Sequence, residues 1–200
     1  MNDMQHIYIY MDDSGKISKF EDYAVFAGIV IKDGKQKSEF NNKYRAIVNS
    51  IKCKYCEMTN DNCKNECPEV KAVAISPTHR RRIINLSKSF TTFGVITYNK
   101  SLYSHIINDK GAKGRFNEYA QRRIIKNTVQ HLINSGAINP NMPVYLHVNI
   151  DEMPTKSNGY YSLKDGLVEE LRHGIINNNW FDTSEYLKRK CHIDVILRLP

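Results

Sequence analysis

Apolar and polar positions divide the chain into alternating strand-like and helix-like segments. His6 to Met11 reads as a strand that stops at the turn-like Asp12-Asp13-Ser14-Gly15. Tyr23 to Ile31 is a continuous apolar run, as expected of a second, buried strand, and Asp33-Gly34 is a turn signal. Between Phe40 and Ile51, the residues Phe40, Tyr44, Ile47, Val48 and Ile51 recur at helical spacing and share one face. Residues 53 to 67 are polar and show no period. Ser76-Pro77 then predicts a helix start, with Ser as the N-cap and Pro at the first helical position; Ile83, Ile84 and Leu86 are expected inward.

Thr91 to Tyr98 is β-rich and reads as a third strand. Arg115 to Asn134 has the longest helical pattern, with Tyr119, Ile124, Ile125, Val129, Leu132 and Ile133 on its apolar face. Gly136 closes this helix, and Pro140 and Pro143 prevent its continuation. Val144 to Ile150 alternates as a fourth strand and ends at Asp151-Glu152. A helix is expected over Ser162 to His173, closed by Gly174, and a fifth strand over His192 to Leu199. Five strands with interleaved helices predict a mixed α/β sheet.

Composition narrows the class. The 200 residues are 41% hydrophobic with mixed charge, enough for one domain with a small insertion and a packed core. No apolar run approaches the roughly 18 residues of a membrane span, so no membrane partner is expected. Met1 to His6 is polar and leads straight into a strand, which predicts no signal peptide and a cytoplasmic protein. The net charge of +8 suits a polyanion, with nucleic acid the foremost candidate.

Four cysteines add a first chemistry. Cys53, Cys56, Cys63 and Cys67 form Cys-x2-Cys and Cys-x3-Cys pairs, and each pair can grip two corners of a Zn²⁺ tetrahedron. Lys52, Lys54 and Lys64 partly offset the charge of four thiolates. The segment has too few apolar residues to order itself, so structural Zn²⁺ would supply its folding energy. Disulfides need an oxidising compartment to which nothing here points; free thiols and an iron–sulfur cluster are the other readings. Cys191, within a strand, reads as a core thiol.

Carboxylates add a second. Asp12 and Asp13 end the first strand, and Asp151 and Glu152 end the fourth. If those strands lie side by side and parallel, the carboxylates meet at one edge, where a cation would relieve their repulsion. Hard oxygen ligands select Mg²⁺ or Mn²⁺, which serve phosphodiester cleavage. Taken singly, each acidic pair reads better as a polar turn after a strand; two such pairs at two strand ends, in a basic chain, shift the balance toward a site. Basic residues fall in two groups. His79, Arg80, Arg81 and Arg82 at a helix start, and Arg115, Arg122, Arg123 and Lys126 on the long helix, read either as phosphate contacts or as solvated faces. The remaining histidines, His6, His105, His131, His147, His173 and His192, are scattered and read as core-edge or surface residues. Asp165, Glu169 and Glu170 read as a solvated helix face.

Ile7-Tyr8-Ile9-Tyr10-Met11-Asp12-Asp13-Ser14-Gly15, followed by the strand Tyr23 to Ile31, resembles the opening of the DUF3800 family, whose usual motif is Asp-Glu-Ser-Gly; Asp13 stands where that family has Glu. Glu69-Val70-Lys71-Ala72 resembles its Glu-x-Lys-Gly/Ala segment, and Val148 to Glu152 with Gly159 to Lys164 resembles its later acidic strand end. The resemblance spans nearly the whole chain. It implies an RNase H-like mixed five-stranded sheet flanked by helices, here with a small zinc-binding insertion over residues 53–67. It also implies carboxylates on adjacent first and fourth strands and a divalent-metal-dependent nuclease. On that footing Glu69 would add a metal ligand and Lys71 would neutralise the scissile phosphate. Family members usually continue past the fifth strand with a helix bearing an Ala-Asp pair, whereas this chain ends at Leu199-Pro200; either the sequence is a truncated form or that carboxylate is absent.

Two functions follow. One is an RNase H-like nuclease acting on DNA or RNA. The other is a non-catalytic, zinc-stapled module that binds nucleic acid or protein; a role in phage defence fits either. They differ at Asp12 and Asp151, which an enzyme must bring together and a binder need not.

Overall fold

The computed structural model describes residues 4–55, 71–139, 141–150, 163–173 and 193–198. Its elements run in the order β1 (Gln5–Ser14), β2 (Tyr23–Ile31), α1 (Gly34–Tyr55), α2 (Pro77–Ser87), β3 (Thr91–Tyr98), α3 (Ser104–Asn108), α4 (Lys110–Asn134), β4 (Val144–Ile150), α5 (Leu163–Val168) and β5 (Ile193–Arg198). The fold is α/β, with a mixed open sheet flanked by helices. Four of its strands stand in the order β3-β2-β1-β4, with β1 antiparallel to β2 and parallel to β4. The backbone of β5 pairs parallel to the far side of β4. By chain contacts the molecule forms two units, residues 1–33 with 92–200 and residues 34–91.

In the first unit the core lies between one face of the sheet and the long helix. Ile7, Ile9 and Met11 of β1 and Leu146, Val148 and Ile150 of β4 point to that face. Phe26 and Val30 of β2 join them. Ile124, Ile125, Val129 and Leu132 of α4 meet them from the other side, and Leu163, Leu167 and Leu171 complete the cluster. Burial at this scale is the main driving force for the unit, at about 25 cal/mol per Å² of apolar surface.

Helix α4 starts five residues earlier than the apolar period suggests. Asp109 caps it, accepting the Ala112 backbone N–H at 2.6 Å, so Gly111 and Gly114 are carried into the helix despite their low propensity. At its other end Gly136 takes φ +71°, and the N–H groups of Ala137 and Ile138 return to the Leu132 carbonyl. Tyr119 does not join the inward face: it is 52% exposed, because the buried stripe runs through Ala120, Gln121, Ile124, Ile125, Thr128 and Val129.

In the second unit, α1 is longer than the Phe40–Ile51 pattern and begins at Gly34, within the Asp33-Gly34 turn signal. Phe40 stacks on Tyr44 and meets Phe90 edge-on, at 5.7 and 5.1 Å between centroids. Helix α2 begins as its sequence predicts. Ser76 accepts the His79 N–H at 3.4 Å, with Pro77 at the first helical position. Its inward stripe is His79, Ile83 and Leu86, at i, i+4 and i+7. Ile84 stands about 100° away from Ile83 and is 57% exposed, contrary to the inward placement expected of it.

Candidate active site

The first strand does not stop before Asp12. It continues through Asp12, Asp13 and Ser14, which pair with Ala27, Phe26 and Val25 of β2. Gly15 ends it with φ +77°, and a Cβ there would lie 2.6 Å from the Tyr23 carbonyl oxygen, so only glycine makes this turn without strain. The two aspartates therefore occupy successive strand positions and lie on opposite faces of the sheet. Asp13 follows Ile9 and Met11; Asp12 follows Tyr8 and Tyr10. Both carboxylates are exposed, and Asp12 Oδ1 accepts the Asp13 backbone N–H at 2.8 Å.

Strands β1 and β4 are adjacent and parallel, and the last pair of their ladder is Met11 with Ile150. Asp12 is the next residue of one strand, and Asp151 is the next residue of the chain after the other. The face that carries Asp12 also carries Tyr8 and Tyr10 on β1 and their pairing partners His147 and Asn149 on β4. Asp151 and Glu152 themselves lie outside the described residues, as do Cys56, Cys63, Cys67 and Glu69. Cys53 falls in the last turn of α1, where the backbone alone is described. Among the described residues no group of three His, Cys, Asp or Glu side chains is positioned to hold a metal.

The loop from Gly15 to Asp22 is pinned from within. Glu21 Oε2 accepts the Lys16 backbone N–H at 2.8 Å. Asn99, buried at the end of β3, donates its side-chain amide to the carbonyls of Lys16 and Glu21 at 2.8 and 2.9 Å. The Asn99 backbone N–H reaches the Asp22 carbonyl at 2.8 Å. Beside this clamp Lys100 pairs with Asp22 at 2.8 Å. The hydrogen bond from Lys100 to Asp22, reinforced by charge attraction, raises the Lys100 pKa above the usual lysine value.

The basic candidates separate in the structure. Arg80, Arg81 and Arg82 are exposed on the first turns of α2, and Arg82 donates to Ser50 Oγ at 3.3 Å. His79, placed beside them by sequence, is buried. Lys71 is exposed just before α2. On α4 the picture differs. Arg123 and Lys126 both reach Glu170, at 3.6 and 3.1 Å, and Glu170 is only 3% exposed. The solvated face expected at Glu170 is therefore a buried ion pair: Glu170 lies at i+7 from Leu163 and i+3 from Leu167, on the helix's buried stripe against α4. Arg122 lies along Gly166 of α5, where a Cβ would meet its Cδ at 2.7 Å.

One grouping has no signal in the one-dimensional pattern. His6 Nδ1 lies 3.1 Å from His147 Nε2, so one ring donates an N–H to the other. His147 stacks on Tyr8 at 4.4 Å, and His6 on Tyr145 at 5.6 Å. The residues are 141 apart in sequence and meet only because β1 and β4 are parallel neighbours. Among the described residues no helix is long and apolar enough to cross a membrane. No protein-family model matches the chain, and no curated protein matches it.

Proposed function

We propose that the chain is a divalent-metal-dependent nuclease of RNase H-like fold, acting on the phosphodiester backbone of DNA or RNA. One observation carries this reading. The first and fourth strands are parallel neighbours whose ladder ends at Met11 and Ile150, and an acidic pair follows immediately in each strand's sequence. The resemblance to DUF3800 proteins rests on the same residues.

Asp12 fits a cation-binding role. It is exposed, its carboxylate is a hard oxygen donor, and the Asp13 N–H that it accepts orients it at the strand's end. Asp12 and Asp151 would hold Mg²⁺ or Mn²⁺, with Glu152 and Glu69 as candidates to complete the ligand set; Asp13, on the opposite face of the sheet from Asp12, stands apart from it. A divalent cation there would acidify an attacking water and offset charge on the phosphodiester. Lys71 would neutralise the scissile phosphate. Arg80, Arg81 and Arg82 would grip the backbone of the same polyanion, to which a net charge of +8 is suited. Cys53, Cys56, Cys63 and Cys67 would hold a structural Zn²⁺.

Mn²⁺ binding followed by electron paramagnetic resonance tests the site directly. The wild type should bind, and Asp12→Asn should weaken binding by about tenfold or more, since loss of an outer-shell partner alone costs about 10–100-fold. Equal Mn²⁺ affinity in the two proteins would remove Asp12 from the ligand set.

A further inference from the structure

The sheet face that carries Asp12 ends, on its β2–β3 side, in large apolar side chains left in solvent. Tyr23 is 55% exposed, Ile96 68% and Tyr98 42%. The rings of Tyr23 and Tyr98 lie 5.4 Å apart with a 36° tilt. Between them and Asp12 the surface is low. Ala27 pairs with Asp12, and Gly94 lies against Ala27, its would-be Cβ 3.5 Å from the alanine methyl. Ala27 and Tyr23 are four residues apart on one strand and share its face, a run of about 13 Å at 3.3 Å per residue.

The two rings are held in advance. Asn99 ties the start of β2 to the end of β3 through its side-chain bonds to the Lys16 and Glu21 carbonyls and its N–H bond to Asp22. Lys100 Nζ sits 6.0 Å from the Tyr98 ring centre and pairs with Asp22 at 2.8 Å. Asp22 is thereby matched by a cation, and Glu21 is occupied by the Lys16 N–H.

We propose that Tyr23 and Tyr98, with Ile96 beside them, form a stacking platform for the unpaired bases of single-stranded nucleic acid, leading the strand over Ala27 and Gly94 to Asp12. The inference rests on the reading of Asp12 as part of a phosphodiester site. Flat, prearranged aromatic rings match the π-face common to every base and tolerate any sequence, while duplex bases are already stacked and offer no face. The chain's excess positive charge favours a polyanion as the partner, and at this surface the pairing of Asp22 with Lys100 offsets one carboxylate that would repel it.

The test is fluorescence anisotropy without added divalent ion. Labelled oligothymidylate, oligouridylate and a DNA duplex are titrated with wild type, Tyr23→Leu, Tyr98→Leu and Tyr98→Phe. Each leucine variant should bind both single strands about tenfold more weakly, with little change on duplex, and Tyr98→Phe should bind like wild type because the ring remains. That pattern in a protein that cleaves nothing would retain the platform and remove the nuclease reading. Leucine variants that melt like wild type and bind single strands equally well would overturn the proposal. So would equal losses on single strand and duplex. A wild type that self-associates in sedimentation, with self-association abolished by Tyr98→Leu and oligonucleotide binding unchanged, would assign the face to a second copy of the chain instead.

Discussion

Asp12 and Glu170 are both acidic residues at the ends of regular elements, yet their surroundings give them opposite roles. Asp12 is exposed, and its hydrogen bond from the Asp13 N–H can be kept by asparagine, whose side-chain oxygen also accepts. Asp12→Asn should therefore melt within about 0.5 kcal/mol of wild type, as surface substitutions do. Glu170 is buried between Arg123 and Lys126. Removing its charge leaves a buried ammonium without its counterion, and breaking such a pair costs about 3–5 kcal/mol. Urea unfolding of Glu170→Gln should show that loss. A midpoint like that of wild type would mean the pair contributes little. In the sequence Glu170 reads as part of a solvated face because a carboxylate is expected outward. Its spacing from Leu163 and Leu167 puts it on the buried stripe, and the counter-charges that make this tolerable, Arg123 and Lys126, come from a helix more than forty residues away.

At the scale of elements, the proposed chemistry rests on the cysteine segment and the β1–β4 ladder. Structural zinc should be present at about one ion per chain, and chelation should loosen residues 53 to 67 before the rest, because zinc folding energy is local to its ligands. Elemental analysis with hydrogen exchange checks this, and metal-free protein with unchanged exchange in that segment would reject it. The strands β1 to β4 and the start of α2 are largely legible in the chain, whereas α1 begins at Gly34, six residues before its apolar pattern. Period-2 and period-3.6 patterns report which face of an element is buried, and Ser76-Pro77 marks a cap by its own chemistry. What the patterns miss is set by distant partners. Asp12 to Ser14 look like a turn, but β2 supplies their hydrogen bonds and keeps them in the strand, which sends Asp12 and Asp13 to opposite faces. The His6–His147 contact exists only because β1 and β4 are parallel neighbours. The acidic strand ends are legible as candidates, since they are local; which of them share a face is not.

For the molecule as a whole, the net charge of +8 predicts binding to nucleic acid that weakens steeply with salt, because each neutralised phosphate releases counterions. Replacing Arg80, Arg81 and Arg82 together by Ala should lower affinity similarly for all sequences and flatten the salt slope by about two to three, roughly 0.7–0.9 for each phosphate left without its arginine. A mobility-shift series that shows no retardation even at low salt would eliminate this partner. The central claim concerns cleavage, and it is tested by incubating wild type, Asp12→Asn and Asp151→Asn with Mn²⁺ and labelled single-stranded DNA and RNA. The wild type should cut at least one of them, and each variant should lose about a hundredfold or more of that rate, an amount comparable to removing one group that stabilises transition-state charge. Equal cutting by all three proteins, or none by the wild type on either substrate, would contradict the assignment of Asp12 and Asp151 to a metal-dependent nuclease site.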